Sequence, residues 1–190
     1  MKMIFEKDQF PWLEGFSNNW QTIKDEMLQL NDDTYKAWPE KRYYNFGWKT
    51  FGLYAWGVRL DKHCRLCPET TKLLETVPNL VSAGFSSMQP NTHIKPHKGY
   101  PEGILRAHVP LVIPDPSQCA LRVGDHIQEW REGEAWVFDD TINHEAWNKT
   151  DRVRIVLLID FRPEDDSICL TVPKYKRRKK GFLASLFSKS

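Results

Sequence analysis

From residue 53 onward the chain breaks into runs too short for most helices and bounded by turn residues: 53–60, 83–88, 105–113, 119–123, 126–130, 135–138 and 153–161. Runs of this length and makeup predict strands. Gly124-Asp125 lies between two of them as a tight hairpin turn, and Arg131-Glu132-Gly133-Glu134 forms another connection. Helical signals come earlier. Ser17-Asn18-Asn19 supplies the cap of a helix in which Trp20, Ile23, Met27 and Leu30 recur at three- and four-residue steps, and Pro68-Glu69 opens a second helix through Leu73 and Leu74. Helices ahead of many short strands favour a sandwich or jelly roll with the helices as outer supports.

At 190 residues, 41% hydrophobic and 13% aromatic, the chain is long and apolar enough for one domain with a substantial core. Its formal charge of +2 averages two unlike parts. Seven of the 27 Lys and Arg fall in residues 174–190, which hold no acid, leaving 20 basic against 25 acidic residues before them. We therefore divide the chain into a single domain, 1–173, and a basic amphipathic tail, 174–190. The start has no apolar run suited to a signal peptide, and nowhere do about eighteen apolar residues stand together, so a cytoplasmic chain is expected. The four cysteines fit a reducing compartment. His63-Cys64-Arg65-Leu66-Cys67 lacks the second cysteine pair of a structural zinc site, since Cys119 and Cys169 are isolated in strand-like runs, and buried thiols are expected.

Half of the six histidines fall within residues 93–108. In Leu105-Arg106-Ala107-His108-Val109-Pro110-Leu111 the odd positions are apolar, so Arg106 and His108 project together from the opposite face of a strand. Arg154 sits in another apolar strand, Val153-Arg154-Ile155-Val156-Leu157. A buried guanidinium calls for an anion. Pattern alone leaves open whether Arg106 and Arg154 face such an anion, pair with local carboxylates or reach the surface. His97 follows Pro96, and His144 stands at the end of one strand or the start of the next. Two neutral imidazoles with open positions beside them suit a redox iron that binds oxygen and substrate. The carboxylate that usually follows the first histidine by two residues is here Gly99, so spacing alone also allows ordinary core histidines.

Taken together, Ser86-Ser87-Met88-Gln89-Pro90 through Thr92-His93 to His97-Lys98-Gly99, then Leu105-Arg106-Ala107-His108-Val109-Pro110, then Phe138-Asp139-Asp140 leading to His144-Glu145-Ala146-Trp147, and finally Arg154, resemble the aspartyl/asparaginyl β-hydroxylase family of iron(II)- and 2-oxoglutarate-dependent dioxygenases. The similarity runs from about Phe5 to Pro163. It implies a mainly β fold with flanking helices, a double-stranded β-helix of the jelly-roll, cupin-like kind. It also implies Fe(II), 2-oxoglutarate as cosubstrate and O2. His97 and His144 match the two iron ligands, and Gly99 is itself a family trait. Arg154 matches the partner of the distal carboxylate of 2-oxoglutarate, while Ser86, Arg106 and His108 match other residues of the cosubstrate pocket. Asp140 matches an acid near the metal that orients water without direct ligation. His93 is read as structural and placed along a turn, and His63 and His126 as surface or turn positions.

The implied activity is insertion of oxygen into an unactivated C–H bond, with release of succinate and CO2. The substrate is an amino-acid or peptide side chain, another small molecule, or a lipid acyl chain. The alternative is a jelly-roll binding module that keeps the fold without turnover. Relatives acting on acidic peptides carry an extra arginine where this chain has Ile104 and Leu105, a departure that speaks against an aspartyl substrate.

In the tail, the cluster 174–180 precedes Phe182, Leu183, Leu186 and Phe187, which share one face if helical. Such a segment suits peripheral contact with the anionic inner face of a membrane, at about 1 kcal/mol per basic residue near the surface. A solvated tail is the plain alternative, and nucleic acid is less suited because no recognition motif accompanies the charge. On the membrane reading, the full chain sediments with anionic vesicles at low salt and a 1–173 form stays in the supernatant. Equal partitioning of the two forms ends that reading.

Overall fold

Alternation with a period of two organises the computed structural model, which describes residues 3–5, 7–99 and 103–164. Strand β1 (Ile4–Phe5) leads into helices α1 (Leu13–Asn18) and α2 (Trp20–Leu28). Strands β2 (Lys36–Ala37), β3 (Trp48–Ala55) and β4 (Val58–Arg59) precede α3 (Asp61–Cys64) and α4 (Pro68–Leu74). The rest is β5 (Leu80–Met88), β6 (Thr92–His97), β7 (Leu105–Val112), β8 (Cys119–Val123), β9 (His126–Glu129), β10 (Trp136–Asp139), β11 (His144–Asn148) and β12 (Arg154–Phe161).

The larger sheet has the order β1-β10-β7-β12-β5-β3-β2, with β4 beside β3, and the smaller has the order β6-β11-β8-β9. From β5 onward the chain passes between the two sheets, β8 and β9 alone following one another in the same sheet. This is the jelly roll that the strand pattern predicts. Two cores follow from it. Between the sheets lie Trp48, Met88, Leu121, Trp130, Phe138 and Val156. Between the larger sheet and the helices lie Leu13, Phe16, Ile23, Ala107, Val109 and Leu157. Each such apolar side chain contributes on the order of 1.5–3 kcal/mol when fully buried. Strand β7 is buried along both faces: its odd positions pack toward the helices, which leaves Arg106 and His108 in the space between the sheets.

Where the structure departs from the sequence reading, local contacts explain it. The run 53–60 is a hairpin rather than one strand, because Trp56 and Gly57 turn with φ of 53° and 76°. The Ser82 Oγ accepts the Trp56 N–H at 3.1 Å and holds that turn. Residues 92–97 form β6, so His93 lies on a strand and not along a turn, with its Nε2 2.8 Å from Glu145 on β11. His63 is half-buried: its Nδ1 lies 2.6 Å from the Gly52 carbonyl and its ring stacks on Phe51. Asn19 precedes α2 without capping it; its Nδ2 donates instead to the Gly15 carbonyl of the unforeseen α1 at 2.8 Å. Pro68 does open α4, whose exposed Glu69 and Thr70 N–H groups donate to the Glu26 carboxylate of α2 at 2.7 and 2.8 Å. Cys64, Cys67 and Cys119 are buried thiols. Cys169 and the 174–190 tail lie outside the described residues. Among the described residues, no helix is long and apolar enough to cross a membrane.

Asn148, fully buried, ties the two sheets at one end. Its Nδ2 faces the carbonyls of Met88, Gln89 and Arg152 at 3.1, 3.1 and 2.7 Å, and its Oδ1 accepts the Thr150 N–H and hydroxyl at 3.1 and 2.7 Å. Asn148→Ala leaves several of these groups buried and unsatisfied, at about 1–3 kcal/mol for each orphaned group. We expect a loss of about 2–4 kcal/mol in urea unfolding; a change below about 0.5 kcal/mol contradicts this role.

Candidate functional site

The two candidate metal ligands come from different strands of the smaller sheet. In the register of β6 with β11, His97 and His144 are direct cross-strand partners, and their ring centroids are 4.3 Å apart. The sequence separates them by 47 positions; the strand pairing removes that separation. Each Nδ1 sits 2.8 Å from a backbone carbonyl two residues earlier, Lys95 for His97 and Ile142 for His144. A carbonyl only accepts, so Nδ1 carries the proton in both rings and each Nε2 keeps a lone pair. Burial lowers the His97 pKa, and burial with the charges of His97 and Arg106 pushes that of His144 down to about 3. Both rings are neutral at physiological pH, the form that ligates a metal.

Asp140 supplies the acid beside this pair. Its Oδ1 is 3.5 Å from the His144 Nε2 and 2.7 Å from the Arg106 Nη1. The second distance is an ion pair whose angles fall short of a hydrogen bond, and the buried Oδ2 has no hydrogen-bond partner among the described residues. That oxygen fills the space a side chain at residue 99 would need. A Cβ built on Gly99 would lie 1.6 Å from the Asp140 Oδ2 and 2.7 Å from its carbonyl oxygen. A carboxylate at position 99 is thus sterically displaced by one arriving from position 140. Among the described residues, no third His, Cys, Asp or Glu joins the histidines as a metal-binding group.

The two inward arginines, alike in pattern, differ in the fold. Arg106 meets Asp160 in a bidentate pair, Nε to Oδ1 at 2.6 Å and Nη2 to Oδ2 at 2.9 Å, besides its contact with Asp140. Burial pushes the Asp160 carboxyl up, against the pull of Arg106. Arg154 is 1% exposed and meets no carboxylate among the described residues. Its Nη1 donates to the Ser86 carbonyl at 3.3 Å, its Nη2 contacts the Met88 sulfur, its Nε is unsatisfied, and its guanidinium lies 4.4 Å from the Trp130 ring. Burial pushes its pKa down to about 9, the mark of a cation short of an anion.

His108 completes the wall around Arg154. Its Nδ1 accepts the Trp130 Nε1–H at 3.2 Å, so the neutral ring carries its proton on Nε2. Burial, with Arg154 and Arg106 nearby, holds its pKa well below the usual value. The Ser86 hydroxyl accepts the Trp48 Nε1–H at 3.0 Å, and Trp48 stacks on Trp38 at 4.4 Å. The chain of rings His108, Phe138, His144 links this wall to the histidine pair at centroid spacings of 5.3 and 5.4 Å.

Six of the seven predicted site residues are therefore buried between the sheets, and the half-buried His97 joins them through its pairing with His144. Two participants escaped the sequence reading. Trp130 looks like any strand-end aromatic. Asp160 carried a usable signal: it lies on the face of β12 that also bears Arg154, Val156 and Leu158, and it is the lone acid of that strand.

Comparisons with known proteins bear on the family and the fold. Residues 17–163 match the model of the family described as aspartyl/asparaginyl beta-hydroxylase. An ornithine lipid ester-linked acyl 2-hydroxylase of Rhizobium tropici is 32% identical over 172 residues, 83% of this chain and 59% of that protein. Human aspartyl/asparaginyl beta-hydroxylase is 31% identical over 161 residues, 80% of this chain and 21% of that protein. The chain thus spans about three fifths of the first relative and about a fifth of the second. A prolyl-4-hydroxylase of Pseudomonas putida shares the fold, with a TM-score of 0.53 at 14% identity over 78% of this chain and 88% of that one. With a family match over most of its length and the fold to go with it, this chain belongs to the aspartyl/asparaginyl beta-hydroxylase family.

Proposed function

We propose that the chain is an iron(II)- and 2-oxoglutarate-dependent hydroxylase in which His97 and His144 hold the metal and Arg154 receives the far carboxylate of the cosubstrate. The observation that carries this reading is the buried, acid-free guanidinium of Arg154 in the same interior as two neutral histidines with free Nε2 atoms. The donor set fits a divalent iron: two imidazoles of fixed tautomer, with the unsatisfied Asp140 Oδ2 beside them. When bound, the iron couples oxidation of 2-oxoglutarate by O2, to succinate and CO2, with hydroxylation of a C–H bond.

The protein's own residues bind, orient and exclude. The Lys95 and Ile142 carbonyls fix both histidine rings, and Arg106 holds Asp140 next to them. Arg154 offers two-point recognition of a carboxylate, and the His108 Nε2–H is a further donor on the same wall. Ser86 is held by Trp48 at the edge of this pocket. Trp130, Trp136 and Phe138 keep the space apolar, which strengthens each charge contact within it. Two substrate classes have named precedents among the relatives, an acyl chain and an Asp or Asn side chain.

The direct test is iron- and oxygen-dependent formation of succinate from 2-oxoglutarate. His97→Ala and His144→Ala each lower it at least about 100-fold, while the purified wild type forms succinate slowly even without added substrate. A wild type that binds 2-oxoglutarate but forms no succinate is instead a binding module.

Arg154→Met gives a second, separable result. Removing a buried cation that lacks a carboxylate leaves unfolding stability within about 1 kcal/mol of wild type, or raises it. In wild type, 2-oxoglutarate at a hundred times its Kd adds about 2.7 kcal/mol, and in the variant its effect on Tm disappears. Equal protection of both forms by 2-oxoglutarate contradicts the role given to Arg154.

A further inference from the structure

A cavity of about 110 Å³ opens on the inner face of the larger sheet, walled by Trp38, Tyr54, Trp56, Leu60 and Leu158, with Asp160 at one side. Its volume is on the order of the roughly 150 Å³ apolar cavity known to take up benzene. It shares Ser86 and Asp160 with the site already described. Arg106 pairs in register with Asp160 on β12 and with Phe138 on β10. Asp160 and Asp140 both contact the Arg106 guanidinium, which joins the cavity wall to the acid beside His144. Along β12, Leu158 stands four residues from Arg154, about 13 Å, and the cavity shares Ser86 with the edge of the proposed cosubstrate pocket.

Three of the polar groups on its wall have partners within the fold. Ser82 Oγ accepts the Trp56 N–H, Ser86 Oγ accepts the Trp48 Nε1–H, and Asp160 takes Arg106 in two hydrogen bonds. With Asp140 also on Arg106, the cluster of one guanidinium and two carboxylates has no net positive charge in any protonation state that keeps one acid ionised. An incoming carboxylate would have to displace Asp160 and then face it unpaired, an arrangement that burial makes very costly. Walls that are mostly apolar, with both serines and the acid already partnered, select a neutral hydrocarbon.

We infer that this site takes its substrate as an uncharged apolar chain, lodged between Leu60 and Leu158, and turns away acidic groups because Asp160 occupies the arginine that would receive them. The inference rests on the hydroxylase reading for its chemistry, but not for its binding test. Gly52 is part of the selection, since a Cβ there would meet the Leu60 Cδ1 at 3.3 Å, so any larger side chain enters the cavity.

The probe is the methyl ester of dodecanoic acid brominated at its terminal carbon, whose bromine quenches tryptophan emission on contact. With the full chain and no metal or 2-oxoglutarate, saturable quenching is expected, weakened at least tenfold in Gly52→Leu and lost when Trp38 and Trp56 are both replaced by Phe. An aspartyl peptide competes in neither form. Leu158→Trp provides a second plug should Gly52→Leu fail to fold. Absent or unsaturable quenching in wild type, equal quenching in a folded plugged variant, or displacement by the acidic peptide each overturn the inference. Succinate assays are run in parallel: no succinate formation sinks the hydroxylase reading and leaves the quenching result standing, whereas stimulation by the acidic peptide but not by the ester overturns the inference alone.

Discussion

A guanidinium taken out of water and given no carboxylate is among the least favourable arrangements a protein can keep, and this fold keeps one at Arg154. The surroundings soften the cost without removing it. A tryptophan face, a methionine sulfur and one carbonyl oxygen engage the group, yet its Nε is left unsatisfied. His108 beside it is held neutral, so it adds no second positive charge. On the proposed function, the far carboxylate of 2-oxoglutarate offsets that cost. The jelly roll gives that site rigidity, because Arg154 and His108 project from the two neighbouring strands β12 and β7.

Arg106 shows the opposite solution on the same sheet. Its three guanidinium nitrogens lie against Asp140 and Asp160, and the resulting cluster ties β7 to β12 and to the loop after β10. The cluster does positional work, since Asp140 is the acid that stands against His144 and occupies the volume left by Gly99. Two arginines with the same sequence signature thus differ in the fold: one is paired with two carboxylates of the chain, the other meets none among the described residues.

Much of the fold was readable because period-two patterning is a local property. The limits of β8, the Gly124-Asp125 turn and the opposite faces of β7 all follow from short windows. The misreadings share a cause as well. Trp56 turns the chain at positive φ because Ser82, 26 residues away, accepts its N–H. The strand character of 92–97 is masked by Lys95-Pro96 and is conferred by pairing with β11. Helix α1 is too short for its periodicity to register, and it displaces the expected cap of α2.

The amino-acid sequence by itself determined most of the strand runs, which residues of β7 alternate inward, and the set of histidines and arginines available for chemistry, because side-chain direction along a strand is decided by the backbone of that strand alone. Only the tertiary structure decided that His97 and His144 are cross-strand neighbours, that Asp160 and not a ligand satisfies Arg106, and that a cavity opens beside Leu158. Those facts depend on register between strands distant in sequence, and register is set by the packing of both sheets at once.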